Sequence, residues 1–513
     1  MKTLLIKTSK HLVIAMVYAT LGVVVTALGF GIWFLNSRAD LAPWHTKVLE
    51  NRFTQHSSDA NFADYLAREA RLKAEIAEGF AGAVPDAGSP VNRYVRGSLS
   101  DPSHWQQDWN WSYEWPNPRA NYGVLFIHGM SDSPYALSNL AADFKASAHV
   151  LGLRLPGHGT LPSGLVSLEW QDMSAAVALA IGHLKTELGD KPLYIVGFST
   201  GAALALHHEL KRIEAGKAPD SRAMVFLSPA IGLAPVARGA YWQARLGEWL
   251  GLEKLAWNAL GTEYDPFKYV SFAVNAGDVV YRLAEENQRQ LLSLSPSQKA
   301  ALPTVLTFQS MADDTVSSRA VVESLYLNLA ESRHQLVLYD VNRSPINQRL
   351  TLWDPKLELE PLYSSPAMQA TVGVVQNQTL EDGSHPLTVE FKPVVPDGDA
   401  TALGRSWPMN VYSLSHVALP FSKSDSLYGP GLVPHKDRIQ IGAAASRGER
   451  GIFAVSADEM LRQKWNPFYA FQLHTIKGLF DAPQLQPELQ QSELQRPQLQ
   501  KPELQQGVTD AAL

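Results

Sequence analysis

The chain has no cysteine. Disulfides, thiolate nucleophiles and cysteine-ligated metal sites are therefore excluded, and an oxidising compartment is permitted but not indicated. Charge is also scarce, at 18% of 513 residues, with a formal net charge of −6. No basic excess marks a surface for nucleic acid. There is no H-E-x-x-H and no cluster of histidines and carboxylates, so no metal or other cofactor is expected. What is abundant is apolar: 45% of residues are hydrophobic. That suffices for one large domain with insertions.

The longest uncharged run holds the apolar stretch Leu12 to Leu35, 24 residues. It is long enough to cross a bilayer as one helix. Lys2, Lys7 and Lys10 precede it, and Arg38 and Asp40 follow. The positive-inside bias puts the N-terminus in the cytoplasm and the remainder outside it, which is the periplasm in a Gram-negative cell. A signal peptide cleaved near Ser37 and Ala39 is the competing expectation, but the run exceeds a usual signal core. Residues 1–40 are therefore taken as the cytoplasmic N-terminus and membrane anchor, with residues 12–35 as the membrane contact.

Residues 41–120 read as a lead-in that packs on the core. It holds a helix over 62–80, a strand over 92–98, and Trp105, Trp109, Trp111 and Trp115. Alternation at 109, 111 and 113 suits a strand with aromatics on one face; packing is preferred to sugar stacking. From 121 to 480 short apolar strands alternate with helices, which implies an α/β domain with a mostly parallel sheet. A stretch rich in Trp, Ala and Leu at about 231–292 falls between two strands and is expected to form a helical cap. Short β-runs at about 343–408 are expected to form a separate small β insertion. Residues 457–480 read as terminal helices. Residues 481–513 repeat PELQ-like units too proline-rich for a helix and too polar for a core, and are expected to be a disordered tail whose partner is unknown.

The stretch LYIVGFSTGAALAL, Leu193 to Leu206, carries the chemistry. It reads as strand, then Gly197-Phe198-Ser199-Thr200-Gly201, then helix, the arrangement of a nucleophile elbow. Gly197 and Gly201 let strand and helix approach, and the turn aims Ser199 at a helix N-terminus. A serine needs a base to take its proton and a carboxylate to orient that base. On a parallel sheet these come in the order Ser, Asp, His. Asp313 in D-D-T-V follows a β-run and is preferred to Asp314. His416, after the strand-like NVYSL, is preferred to His334, His385 and His435. The weak link is the 103-residue gap between Asp313 and His416, which requires the β insertion to leave the sheet and return. Backbone N–H groups of Thr200 and Met130 are expected to form the oxyanion hole. His128 and Gly129, just after a strand, are expected to shape that loop.

Taken together, HGMSDSPY, RLPGHGT, GFSTG, the D-D-T-V turn and SHVALPF resemble the bacterial α/β-hydrolase superfamily, in the branch of serine aminopeptidase S33 and monoacylglycerol-lipase-like enzymes. The resemblance covers roughly Tyr122 to Phe480. It implies Ser199 as nucleophile, His416 as base, Asp313 as orienting acid, and Met130 and Thr200 as oxyanion donors. Ala202 stands where such elbows usually carry a second glycine, and the β insertion lies outside the simple pattern. The expected function is a membrane-anchored serine hydrolase of small-molecule esters or lipids. The alternatives are a peptidase or amidase on the same triad, and a non-catalytic hydrolase-fold scaffold.

Overall fold

The computed structural model describes residues 2–80, 90–232, 252–350, 352–395, 398–409, 411–444 and 464–481. Helix α1 spans Lys2–Ser37. Its Val13–Gly31 stretch is long and apolar enough to cross a membrane, and none of it is buried against the rest of the protein.

A ten-stranded sheet runs in the order β1-β3-β2-β4-β5-β8-β9-β10-β11-β12. The strands are β1 (Tyr113–Trp115), β2 (Gly123–Ile127), β3 (His149–Leu153), β4 (Leu193–Phe198), β5 (Ala223–Leu227), β8 (Thr304–Ser310), β9 (Gln335–Tyr339), β10 (Thr371–Asn377), β11 (Thr388–Pro393) and β12 (Thr401–Ser406). A small separate pair is made by β6 (Trp257–Ala259) and β7 (Phe272–Ala273). From β3 across to β10 every pairing is parallel. Such strands are covered on both faces, which is why VLFI and IVGF read as unbroken apolar runs.

Alternation then divides the core in two. Leu125, Ile127, Leu151 and Ile195 face α4 (Trp170–Leu188), α5 (Thr200–Glu214) and α6 (Val274–Ser293). Val124, Phe126, Val150 and Val196 face α3 (Ser138–Phe144) and the C-terminal α8 (Tyr469–Asp481). The lead-in packs on the first of these clusters through Phe53, Phe62 and Tyr65, the latter two on α2 (Phe62–Phe80).

Five expectations change. Residues 92–98 form successive turns, Val95 N–H to Asn92 O and Ser98 N–H to Val95 O, rather than a strand. Only Tyr113–Trp115 of the aromatic run is strand; the Trp109 ring instead stands edge-on to Tyr113, Trp115 and Tyr135. The cap does not extend to 292: α6 packs on α5 and buries Val279, Leu283 and Leu291, so it belongs to the core. Trp242, Leu246, Trp249 and Leu250, which suggested the cap, lie outside the described residues. The 343–408 stretch is not a separate insertion either. It contributes a helix α7 (Pro355–Tyr363) and then β10, which pairs parallel with β9, before β11 and β12 extend the same sheet antiparallel. Finally, residues 411–415 are not strand, and His416 opens a short 3-10 turn. The expected helix over 457–463 and the 482–513 tail lie outside the described residues; α8 begins at Tyr469.

Candidate active site

Ser199 sits between β4 and α5 at φ 52° and ψ −114°. A non-glycine residue there stores about 1–3 kcal/mol of strain, which the surroundings must hold. They do so with backbone hydrogen bonds: Ser199 N–H donates to Leu227 O, and Ser199 O accepts from Ala230 N–H. Gly201 is dictated by contact, because a Cβ there would stand 2.1 Å from Ile127 O. Gly197 closes β4 directly against Ala202.

The chain brings His416 and Asp313 together. His416 Nδ1 and Asp313 Oδ2 are 2.9 Å apart, and both side chains are buried. Asp313 Oδ1 accepts from Thr315 N–H and Val316 N–H, and Oδ2 accepts from Gln309 Nε2. Burial works to raise the Asp313 carboxyl, but the facing His416 and these donors outweigh it and hold it below the usual carboxylate range. Asp314, the rival, is exposed. His334 accepts Val305 N–H at the far end of β8, His385 lies in the β10–β11 turn, and His435 pairs with Arg438. The His416 ring packs 5.0 Å, centroid to centroid, from Phe198, the neighbour of Ser199. Among the described residues no hydrogen bond joins Ser199 Oγ to that ring. Such contacts commonly tighten only when substrate is bound.

The loop after β2 wraps the same serine. A Cβ on Gly129 would stand 3.1 Å from Ser199 Cβ and 2.8 Å from Asp132 Oδ2. Among the described residues the Met130 and Thr200 N–H groups have no protein acceptor. His128 is bonded within this region through both ring nitrogens. Its Nε2 accepts Leu155 N–H at 3.0 Å, so Nδ1 carries the proton and donates to Gly129 O at 2.8 Å. Both ring nitrogens are thereby used.

Sequence reasoning missed a second support. Lys268 Nζ donates to Asp132 Oδ1 at 2.7 Å and to Ser131 Oγ at 3.1 Å, and Tyr269 N–H donates to Ser131 O at 2.8 Å. Ser131 is itself held at φ 65°. Asp132 lay in plain view beside His128-Gly129, but Lys268 is 136 residues away and has no local signal.

Burial keeps two histidines of this region neutral. Desolvation pulls His128 well below its ordinary value and His158 down to about 3. Each takes up its proton only on unfolding, so the unfolded state binds more protons once pH falls below about 6.5. Stability is therefore full above that pH and declines as pH falls toward the folded-state value of His158, about 3. Each such histidine shifts the unfolding equilibrium up to about tenfold per pH unit. Urea midpoints measured at pH 7 and pH 5 check this; a midpoint unchanged between them contradicts it.

Residues 124–395, 272 of the 513, match the alpha/beta hydrolase family. The match includes Ser199 and Asp313 and ends before His416. No curated protein matches the sequence. Among solved structures, the metagenome-derived lipolytic enzymes LipS and LipT are similar at 19% identity, with 45% of this chain and 87% of that chain covered and a TM-score of 0.36. A monoacylglycerol lipase of Paleococcus ferrophilus is 15% identical, over 44% and 87%, with a TM-score of 0.35. A soluble variant of the monoglyceride lipase of Saccharomyces cerevisiae is 13% identical, over 44% and 81%, with a TM-score of 0.36. Those three likenesses are too distant to bear on activity. The parallel sheet, the strained serine between β4 and α5, and a family match over more than half its length establish that this chain belongs to the alpha/beta hydrolase family.

Proposed function

We propose that the protein is a membrane-anchored serine hydrolase that cleaves carboxylic esters with an acyl or lipid-like part, through an acyl-enzyme. The observation that carries this is the 2.9 Å bond between His416 and Asp313, formed across 103 residues and packed against the elbow. In this reading Ser199 Oγ attacks the acyl carbon while His416 Nε2 takes its proton. Asp313, kept ionised, holds Nδ1–H and stabilises the imidazolium. The Met130 and Thr200 N–H groups receive the oxyanion, with α5's N-terminus adding its dipole. His416 then protonates the departing alkoxide. Water, activated by the same ring, releases the acid and restores Ser199.

The sequence supports retention of α1 as an anchor with its N-terminus cytoplasmic, which leaves the hydrolase domain outside the cytoplasm. The substrate class rests on the apolar, anchored character of the chain. The test is labelling of the intact protein with a fluorophosphonate, followed by peptide mapping, alongside p-nitrophenyl esters of rising acyl length. The expected results are a single adduct on Ser199 and an optimum at medium or long chains. An adduct elsewhere, or a well-folded protein that neither labels nor turns over any ester, would sink the reading.

A further inference from the structure

The last charged residues of the N-terminal segment are bound to the body of the domain at one place. Arg38 follows α1 directly. Its guanidinium donates to Lys254 O at 2.9 Å and Asn258 O at 3.0 Å. Lys254 Nζ returns to Arg38 O at 3.2 Å and to Asp40 Oδ1 at 2.8 Å. The apolar run of α1 continues to Leu35, three residues before Arg38. At about 1.5 Å per residue, that puts the clamp about 5 Å beyond the apolar run. A headgroup layer is itself about 5–7 Å deep. Residues 252–258 therefore sit at headgroup depth whenever α1 spans a bilayer.

That same segment leads directly to the serine. Trp257 and Ala259 pair with Ala273 and Phe272. The non-strand residues just before β7 include Lys268 and Tyr269, whose bonds to Ser131 and Asp132 hold the loop around Ser199. His45, in the lead-in just past the clamp, adds a bond from its Nε2 to Ser271 Oγ at 3.0 Å and a ring contact to Trp257. A continuous set of bonds thus runs from the end of the anchor to the oxyanion loop, all on the side of the sheet where the strands' C-terminal ends emerge. The opposite side, where Asp190 precedes β4, is further off by the length of a six-residue strand, about 20 Å.

We propose that residues 252–258 are the surface by which the hydrolase domain rests on the bilayer, so that the side of the domain carrying the Ser199 loop faces the lipid and the enzyme draws its ester from the leaflet that α1 leaves. The partner is the headgroup layer of the cell's own membrane. The inference rests on α1 being a retained anchor and on Ser199 being the nucleophile.

The absence of native cysteine makes the test direct. The exposed Glu253 and the exposed Asp190 are replaced singly by cysteine (Glu253→Cys, Asp190→Cys) and labelled with a fluorophore. The full chain is then placed in phosphatidylcholine nanodiscs carrying headgroup nitroxide lipids. Quenching at 253 is expected to exceed that at 190 several-fold. The double variant Arg38→Ala/Lys254→Ala is expected to lose the difference. It is also expected to hydrolyse a long-chain 4-methylumbelliferyl ester embedded in the nanodisc about tenfold more slowly, with a water-soluble butyrate ester changed less than about twofold. Equal quenching at the two positions, a difference that survives in the double variant, or a chain that loses α1 on export would overturn the proposal. Quenching needs no catalysis. A preserved difference with no ester turnover would therefore reject the hydrolase reading and uphold the orientation.

Discussion

Ser199→Ala is expected to lower kcat for a p-nitrophenyl ester by about 10⁴- to 10⁶-fold with KM little changed. In the proposed mechanism nucleophile and base act as one unit, so His416→Ala should match it and the second loss should add little to the first. Asp313→Asn is the more discriminating change. It keeps shape and volume but replaces an oxygen that accepts from His416 Nδ1 with an amide that can present a donor there. The ring then takes the wrong tautomer, and kcat is expected to fall by about 10⁴-fold. Asp314→Asn, one residue along and exposed, should stay within about twofold. Steady-state kinetics of the four variants, each checked for a native circular dichroism spectrum, decide the matter. Equal losses at 313 and 314, or near-wild-type turnover in Asp313→Asn, would remove Asp313 from the machinery.

The second large effect is on stability, at the joint between the lead-in and the hydrolase core. Arg154 follows β3 and is buried, and its Nε donates to Glu69 Oε1 of α2 at 2.6 Å. The guanidinium also donates to His158 O and Leu155 O, and Glu69 accepts from the N–H and hydroxyl of Ser112. Glu69→Ala leaves a fully desolvated cation with no counter-charge, which costs about 3–5 kcal/mol. That is a large fraction of the total stability of a typical domain. Replacing both partners, Glu69→Leu with Arg154→Met, removes the stranded charge and should recover most of the loss. Urea unfolding of the detergent-solubilised protein measures both. A single variant as stable as wild type, or a double variant worse than the single, contradicts the account.

The turn that carries Ser199 in the candidate site was legible in the sequence because its signals are local. A four-residue apolar strand, two glycines and a small-residue helix fix the Ser199 turn over fewer than fifteen consecutive positions, and the observed φ of 52° is what that pattern demands. His128 likewise stands out locally, between a strand and a glycine. The cap boundary failed for a related reason. α6 has the periodicity of any amphipathic helix, and nothing in its own residues says whether its apolar face meets α5 or a substrate. The β10–β12 stretch misled in the opposite direction. Its strands were recognised, but pairing partners are not written in a strand, so a continuation of the central sheet looked like a detour.

The class of fold, the serine's turn, the order of the three candidate residues and the presence of a long apolar helix can all be read from the chain alone, because each depends on neighbours within a few positions. Which carboxylate and which histidine meet is a matter of long-range contacts. That choice depends on β10, β11 and β12 closing onto the sheet and returning residues 411–416 to the elbow. It depends equally on burial, which leaves Asp313 facing His416 and Asp314 facing water. Lys268 on Asp132 and Arg38 on Lys254 are of the same kind. Their partners lie 136 and 216 residues apart in sequence, and only folding brings them within hydrogen-bonding reach.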